Sequence, residues 1–149
     1  MRFYAIIIIR IFMENRVLKN MDYFFGNFKD VEAHTFHIVR GAINTYIQWL
    51  VRKEHGNEKY AVRRFIIKPK GMIPSHKHKN TETLVILKGK GKVCVNNQIR
   101  EVQSGDFVFI NSNIPHALEN EYDEDFEFIC IISYEDDMSI QLLESICGK

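Results

Sequence analysis

The sequence predicts an all-β chain, an antiparallel barrel or sandwich with a short helix at its end. Three observations carry this. From residue 41 onward, apolar and polar residues alternate over short runs, the period of a strand with one buried face. Each run is closed by Gly, Asn, Asp or Pro, the residues that turn a chain. Many short strands so punctuated, without internal repeats, belong to one sandwich or barrel rather than to βαβ units.

The elements follow in order. Residues 1–40 read as an N-terminal arm. Its Phe3–Ile9 run is apolar, but Arg10 ends it far short of the ~20 residues a spanning helix needs. No small-residue cleavage site follows, so a secretory leader is not indicated. The run suits an extra edge strand, a dimer contact or a translated leader, since Met1, Met13 and Met21 are all possible starts.

Residues 41–134 read as the barrel. Ala42–Arg52 alternates, with Ile43, Ile47, Trp49 and Val51 on one face, and Glu54–Asn57 turns the chain. A strand follows over Tyr60–Lys68, closed by Pro69-Lys70-Gly71. Thr83–Leu87, Lys92–Val95, Ile99–Val102, Phe107–Ile110, Pro115–Leu118 and Phe126–Ser133 complete the set. Asn96-Asn97 are residue types that accept positive φ in a two-residue hairpin. The acidic run Glu119–Asp125 reads as a solvated loop. Residues 135–149 read as a helix or tail, with Ile140, Leu143, Ile146 and Cys147 on one stripe and Glu135-Asp136-Asp137 at its start.

Composition narrows the function. At 149 residues and net charge +1, with basic and acidic residues interspersed, no nucleic-acid or membrane partner is indicated. Cys94, Cys130 and Cys147 are odd in number, widely separated and free of any CxxC, so no disulfide framework or zinc–thiolate site is suggested and a cytoplasmic home is expected. No Ser-His-Asp arrangement or phosphate-cradling glycine loop is recognisable.

The informative segment is Gly71–Asn120. His76 and His78 are two apart on a strand, so their side chains share a face. Glu82 follows across a short bend at Lys79-Asn80, and His116 arrives from a separate segment. Three imidazoles and a carboxylate suit a borderline divalent metal and leave coordination positions open, the mark of a catalytic rather than a structural site. His34, His37 and His55 stand outside the pattern and read as structural.

At these residues the chain resembles the cupin superfamily. The family's first motif is Gly, a short spacer, His-x-His, three or four residues, Glu, six residues, Gly. Gly71, His76, His78, Glu82 and Gly89 match it, with the first spacer one residue short. The second is Gly, five residues, Pro-x-Gly, two residues, His, three residues, Asn. Gly105, His116 and Asn120 match it, while Asn111 and Asn113 stand where Pro and Gly are usual. The resemblance covers roughly residues 60–133 and is strongest to small single-barrel, metal-binding cupins of the cupin 2 conserved-barrel type. It implies a jelly-roll barrel, a homodimer, and one Mn, Fe, Ni, Cu, Co or Zn ion on His76, His78, Glu82 and His116. Cupins resembling this chain include dioxygenases acting on enediols, flavonols, thiols and diketones.

Alternation also nominates pocket residues. Arg64 and Lys68 make one face of the Ala61–Lys68 strand the solvent face, which turns Arg63 inward. There it either holds a substrate carboxylate or enolate oxygen or pairs with an acid at the barrel end. Glu127 faces water, so Phe126, Phe128, Cys130 and Ile132 point inside, with Phe128 and Cys130 as an apolar wall. Cys130 reads as a small buried hydrophobe, Leu84 and Ile86 as further lining, and Trp49 and Phe65 as core.

The expected activity is metal-dependent oxidation of a small organic anion chelated at the metal, by O2 or peroxide, with Glu82 as a ligand that can detach and accept a proton. The same site serves Lewis-acid isomerisation of a sugar or keto acid, or non-catalytic binding of a small ligand. Sensor cupins commonly carry a helix-turn-helix domain, for which this chain shows no helical pattern.

Overall fold

The computed structural model describes residues 21–145. Among these residues ten strands form one antiparallel sheet curled into a nearly closed barrel. They are β1 (His34–Thr35), β2 (Ile43–Val51), β3 (Tyr60–His78), β4 (Glu82–Lys88), β5 (Lys90–Val95), β6 (Gln98–Gln103), β7 (Phe107–Ile110), β8 (His116–Glu119), β9 (Phe126–Ser133) and β10 (Ile140–Leu142). The main path runs β6-β5-β8-β3-β9-β4-β7, with β2 and β10 also paired to β3 and β1 to β2.

β3 is the spine. Its first half, Tyr60–Ile67, pairs with β9 and lies against β2, whereas Met72–His76 pairs with β8. The exchange of partners falls at Pro69-Lys70-Gly71, where Lys70 takes a φ of 64°. The turn residues therefore bend one 19-residue strand rather than end it. Through this bend the chain passes from one side of the barrel to the other and carries its last residues, His76 and His78, to the interior.

Alternation holds where strands are long. In β9, Phe126, Phe128, Cys130 and Ile132 are all buried, as are Arg63, Phe65 and Ile67 in β3 and Glu82, Leu84 and Ile86 in β4. Phe65 stacks on Phe128 at 5.2 Å and Phe36 meets Phe65 edge-on at 5.0 Å, contacts worth about 0.5–1.5 kcal/mol each beyond the area they bury. In β2 the alternation is broken. Asn44 takes a φ of 46° at a register shift, so Ile43 is exposed while Thr45 and Ile47 are buried. Trp49 is half-buried and packs against the core.

Both asparagines of the Asn96-Asn97 turn have positive φ, 49° and 67°, as a type I′ hairpin requires. Asn113, in the place of the usual glycine, also takes a left-handed φ of 61°, which asparagine tolerates better than other residues with a Cβ. The acidic segment 120–125 connects β8 to β9. Buried Asn120 anchors it, donating from Nδ2 to the carbonyls of Ile67 and Glu124 and accepting from the Tyr122 amide.

Two expectations are corrected. Residues 140–142 are a strand, not part of a helix: Ile140, Gln141 and Leu142 pair with His78, Lys77 and His76. Without them this edge of β3 would leave backbone groups unpaired at the heart of the site, and satisfying those groups outweighs a weak helical pattern. Cys94 is disulfide-bonded, where the number and spacing of the cysteines suggested no disulfide framework, while Cys130 is free and buried. The Phe3–Ile9 run, and the Ile146 and Cys147 end of the proposed helical stripe, lie outside the described residues. No helix among the described residues is long and apolar enough to cross a membrane.

Candidate metal centre

His76 and His78 enter the barrel from the end of β3, and His116 opens β8 directly opposite, paired with His76. One side-chain nitrogen from each lies within 4.8 Å of the others. All three are buried, as is Glu82 at the start of β4.

Backbone carbonyls orient each ring. Nδ1 of His76 lies 2.7 Å from the Pro74 oxygen, Nδ1 of His78 3.0 Å from that of Asn80, and Nδ1 of His116 2.8 Å from that of Ile114. A carbonyl only accepts, so each Nδ1 carries a proton, and each ring, when neutral, leaves its lone pair on Nε2. This is the arrangement by which metal-binding histidines are held. Nε2 of His116 is buried and makes no hydrogen bond among the described residues: Glu82 Oε1 is 3.0 Å away, but the approach is not that of a donated proton. A buried nitrogen without a partner is costly in a dry cavity, and a cation is the partner this donor set fits. The residues present therefore suit a divalent transition metal, with His76, His78 and His116 as its nitrogen donors and Glu82 beside them.

Glu82 is the hub of the polar cluster. Its Oε2 accepts from the Cys130 thiol at 3.2 Å, lies 3.6 Å from Arg63 Nη2 and 4.0 Å from His78 Nε2. Arg63 Nη2 in turn donates to Cys130 Sγ at 3.0 Å. The guanidinium sits 5.0 Å from the Phe65 ring centre and 5.7 Å from that of Trp49, close enough for cation–π attraction. Its Nε has no partner among the described residues.

Charge follows from burial and neighbours. Burial, reinforced by His116, lowers His76 to about 3, and burial lowers His78 despite Glu82. Burial also opposes protonation of His116, but the closeness of Glu82 outweighs it and raises that pKa. For Glu82, burial alone would favour the acid; His116, Arg63 and His78 overcome it and hold the carboxyl below the usual carboxylate range. Burial pushes the Cys130 thiol far up, so it is a thiol and not a nucleophile.

A cavity of about 200 Å³ adjoins this cluster. Arg63, Phe128 and Cys130, placed inward by alternation, line it together with His76, His78 and Glu82. So do residues that sequence reading did not nominate: Phe36, Ile38 and Val39 from the arm, Asn80, and Tyr134, Met138 and Ile140 from the C-terminal segment. Trp49 and Phe65, read as core, line it as well. The missed residues sit in loops or a three-residue strand, too short to show a period. Only Asn80 had a signal, lying between two ligand candidates. Its side chain donates to the Ser133 carbonyl at 2.7 Å, tying the bend that carries Glu82 back to β9.

A jelly-roll barrel with inward histidines from these two motifs defines a cupin. Residues 63–132 match the cupin domain family model, Cupin_2, and this barrel is a cupin domain. It is 38% identical over 61 residues to the uncharacterized HTH-type transcriptional regulator YdeC of Bacillus subtilis, a match covering 41% of this chain and 21%, about a fifth, of that relative's length. The polyketide cyclase RemF of Streptomyces resistomycificus superposes with a TM-score of 0.73 at 22% identity, over 84% of this chain and 89% of that one. A predicted oxalate decarboxylase from Thermotoga maritima gives 0.69 at 24%, over 75% and 100%. At these identities the two structures share the fold.

Proposed function

We propose that this cupin is a metal-dependent enzyme acting on a small organic molecule in the barrel, with dioxygenase-like oxidation as its chemistry. The observation that supports this best is the convergence of three carbonyl-oriented imidazoles on one largely apolar cavity. A redox-active divalent ion held there would supply Lewis-acid polarisation of a chelated oxygen and electron exchange with O2.

The chain's own groups have separate tasks in this reading. His76, His78 and His116 hold the ion and Glu82 is a fourth ligand. Phe128 excludes water from one wall of the site, and Cys130 fixes Glu82 and Arg63 relative to each other. Arg63 receives the substrate's anionic oxygen. As it does so its attraction on Glu82 weakens, and the carboxylate, otherwise a poor base, becomes able to take the substrate's proton.

The test is metal analysis followed by oxygen uptake. Protein reconstituted with Fe, Mn, Ni or Cu should retain about one ion per chain and consume O2 with an enolisable or aromatic acid. His76→Ala should lose both. Absence of bound metal in wild type would sink the reading.

A second reading, a non-catalytic ligand-binding barrel, is favoured by the match to a transcriptional regulator. It predicts ligand binding with no turnover in the metal-loaded protein.

A further inference from the structure

The metal-enzyme reading leaves the substrate open, and the cavity narrows it. Building on that reading, the geometry points to a small acid with an apolar body, its carboxylate or enolate lying at Arg63 and the histidines. Sugars and polyhydroxy acids are excluded.

Shape and lining give the apolar body. A volume of about 200 Å³ is below the roughly 300–1,000 Å³ of sites for drug-sized molecules. It corresponds to roughly seven waters at liquid volume, enough for a ligand of about ten non-hydrogen atoms. Away from the histidines the wall is Phe36, Val39, Trp49, Leu118, Met138 and Ile140. Only the Trp49 indole N–H, a single donor, and the weakly accepting Met138 sulfur are polar there, too few to replace the hydrogen bonds that a row of hydroxyls would lose on leaving water, and each unreplaced bond counts against binding. Tyr134, the remaining hydroxyl on the wall, accepts from the Lys53 amide.

Charge gives the acid. The buried cluster holds one guanidinium and one carboxylate, 3.6 Å apart, and three imidazoles that bind a metal only as neutral rings, through Nε2. Guanidinium and carboxylate cancel in the metal-loaded cavity. A divalent ion leaves it with about two uncompensated positive charges in a dry site, and an anionic ligand is the group that restores balance. Arg63 is nine-tenths buried with an unpartnered Nε, so part of its donor capacity stays unspent by Glu82 and Cys130. Anion binding should therefore depend on the metal, and on Arg63 beyond its role in packing.

The chain has a built-in reporter: Trp49 is its single tryptophan and stands on this wall beside Arg63. The experiment titrates Zn2+-loaded and metal-free protein with phenylacetate, phenylacetamide, acetate and gluconate while following Trp49 fluorescence. Phenylacetate should bind the loaded protein at least tenfold more tightly than the neutral amide, than acetate and than gluconate. Metal removal should abolish the preference over the amide. Arg63→Lys should retain zinc, by elemental analysis, and lose most of the preference. Zinc retained with phenylacetate and phenylacetamide bound equally, or with gluconate preferred, overturns this substrate class and leaves the metal centre standing. Failure to retain zinc overturns both.

Discussion

At the scale of the residue, the site is decided by which groups stay uncharged. His76 and His78 are pushed below the ordinary histidine pKa by burial, His76 to about 3. A histidine depressed in the folded state contributes stability above its unfolded pKa near 6.5 that is lost as pH falls toward the folded value. His116 is raised by Glu82 against the effect of burial, so its contribution is complete below pH 6.5 and lost as pH climbs through its folded pKa. Glu82, held low by His116, Arg63 and His78 against burial, adds a further loss below its unfolded pKa near 4.5. The metal-free protein should thus be most stable close to pH 6.5, with a steep acid limb. For His76 alone the full shift corresponds to on the order of 5 kcal/mol. Thermal unfolding from pH 3.5 to 9 checks this. His116→Gln should flatten the alkaline limb and make the acid limb shallower without abolishing it, since burial still depresses His76 and His78; a wild-type profile without an acid limb would contradict the charge assignment.

The inward placement of His76, His78, Glu82 and His116 was legible at this scale, because a period of two allows little choice about which way a strand residue points. Arg63 and Cys130 were legible too, since Arg64, Lys68 and Glu127 marked the opposite faces. Their hydrogen bond to each other was not. It joins residues that face each other only once β3 and β9 pair in register, and register is a property of the assembled sheet.

At the scale of the element, two glycines of the motifs have different reasons to be there. Gly89 turns β4 into β5 with a φ of 72°, and a Cβ on it would lie 2.2 Å from the Asp125 carbonyl oxygen. Gly105 has a φ of 94° but open space around it. Gly89→Ala therefore adds a backbone collision to conformational strain and should cost roughly 3 kcal/mol or more. Gly105→Ala carries the strain alone and should cost about 1–2 kcal/mol. Urea midpoints of the two variants decide the matter: equal losses would contradict the close approach of Asp125 to the turn. The strands that the sequence concealed fail for an equally local reason. Pro69-Lys70-Gly71 carries every signal of a turn, yet hydrogen-bond partners on both sides of it keep β3 continuous. At residues 140–142 three residues are too few for any period, and the pairing with His76–His78 decides the conformation instead.

At the scale of the whole molecule, β3 is contacted by β2, β8, β9 and β10, and the site is completed by chain from both ends of the described residues. The arm supplies Phe36 and Val39, the tail Met138 and Ile140, and the barrel itself the histidines. A cation held by His76 and His116 therefore ties the end of β3 to β8, and its binding free energy becomes folding free energy because no such site exists in the unfolded chain. A free metal concentration one hundred times its Kd should stabilise the protein by about 2.7 kcal/mol. For a chain of this size that corresponds to a rise in Tm of roughly 5–10 °C. Wild type should show this rise on addition of Zn2+ or Mn2+ and lose it on addition of a chelator. His76→Ala should show neither response, whatever its own Tm relative to that of the metal-free wild type. The decisive quantity is the metal-induced shift: the same shift in both proteins would place the bound ion elsewhere than at the three histidines.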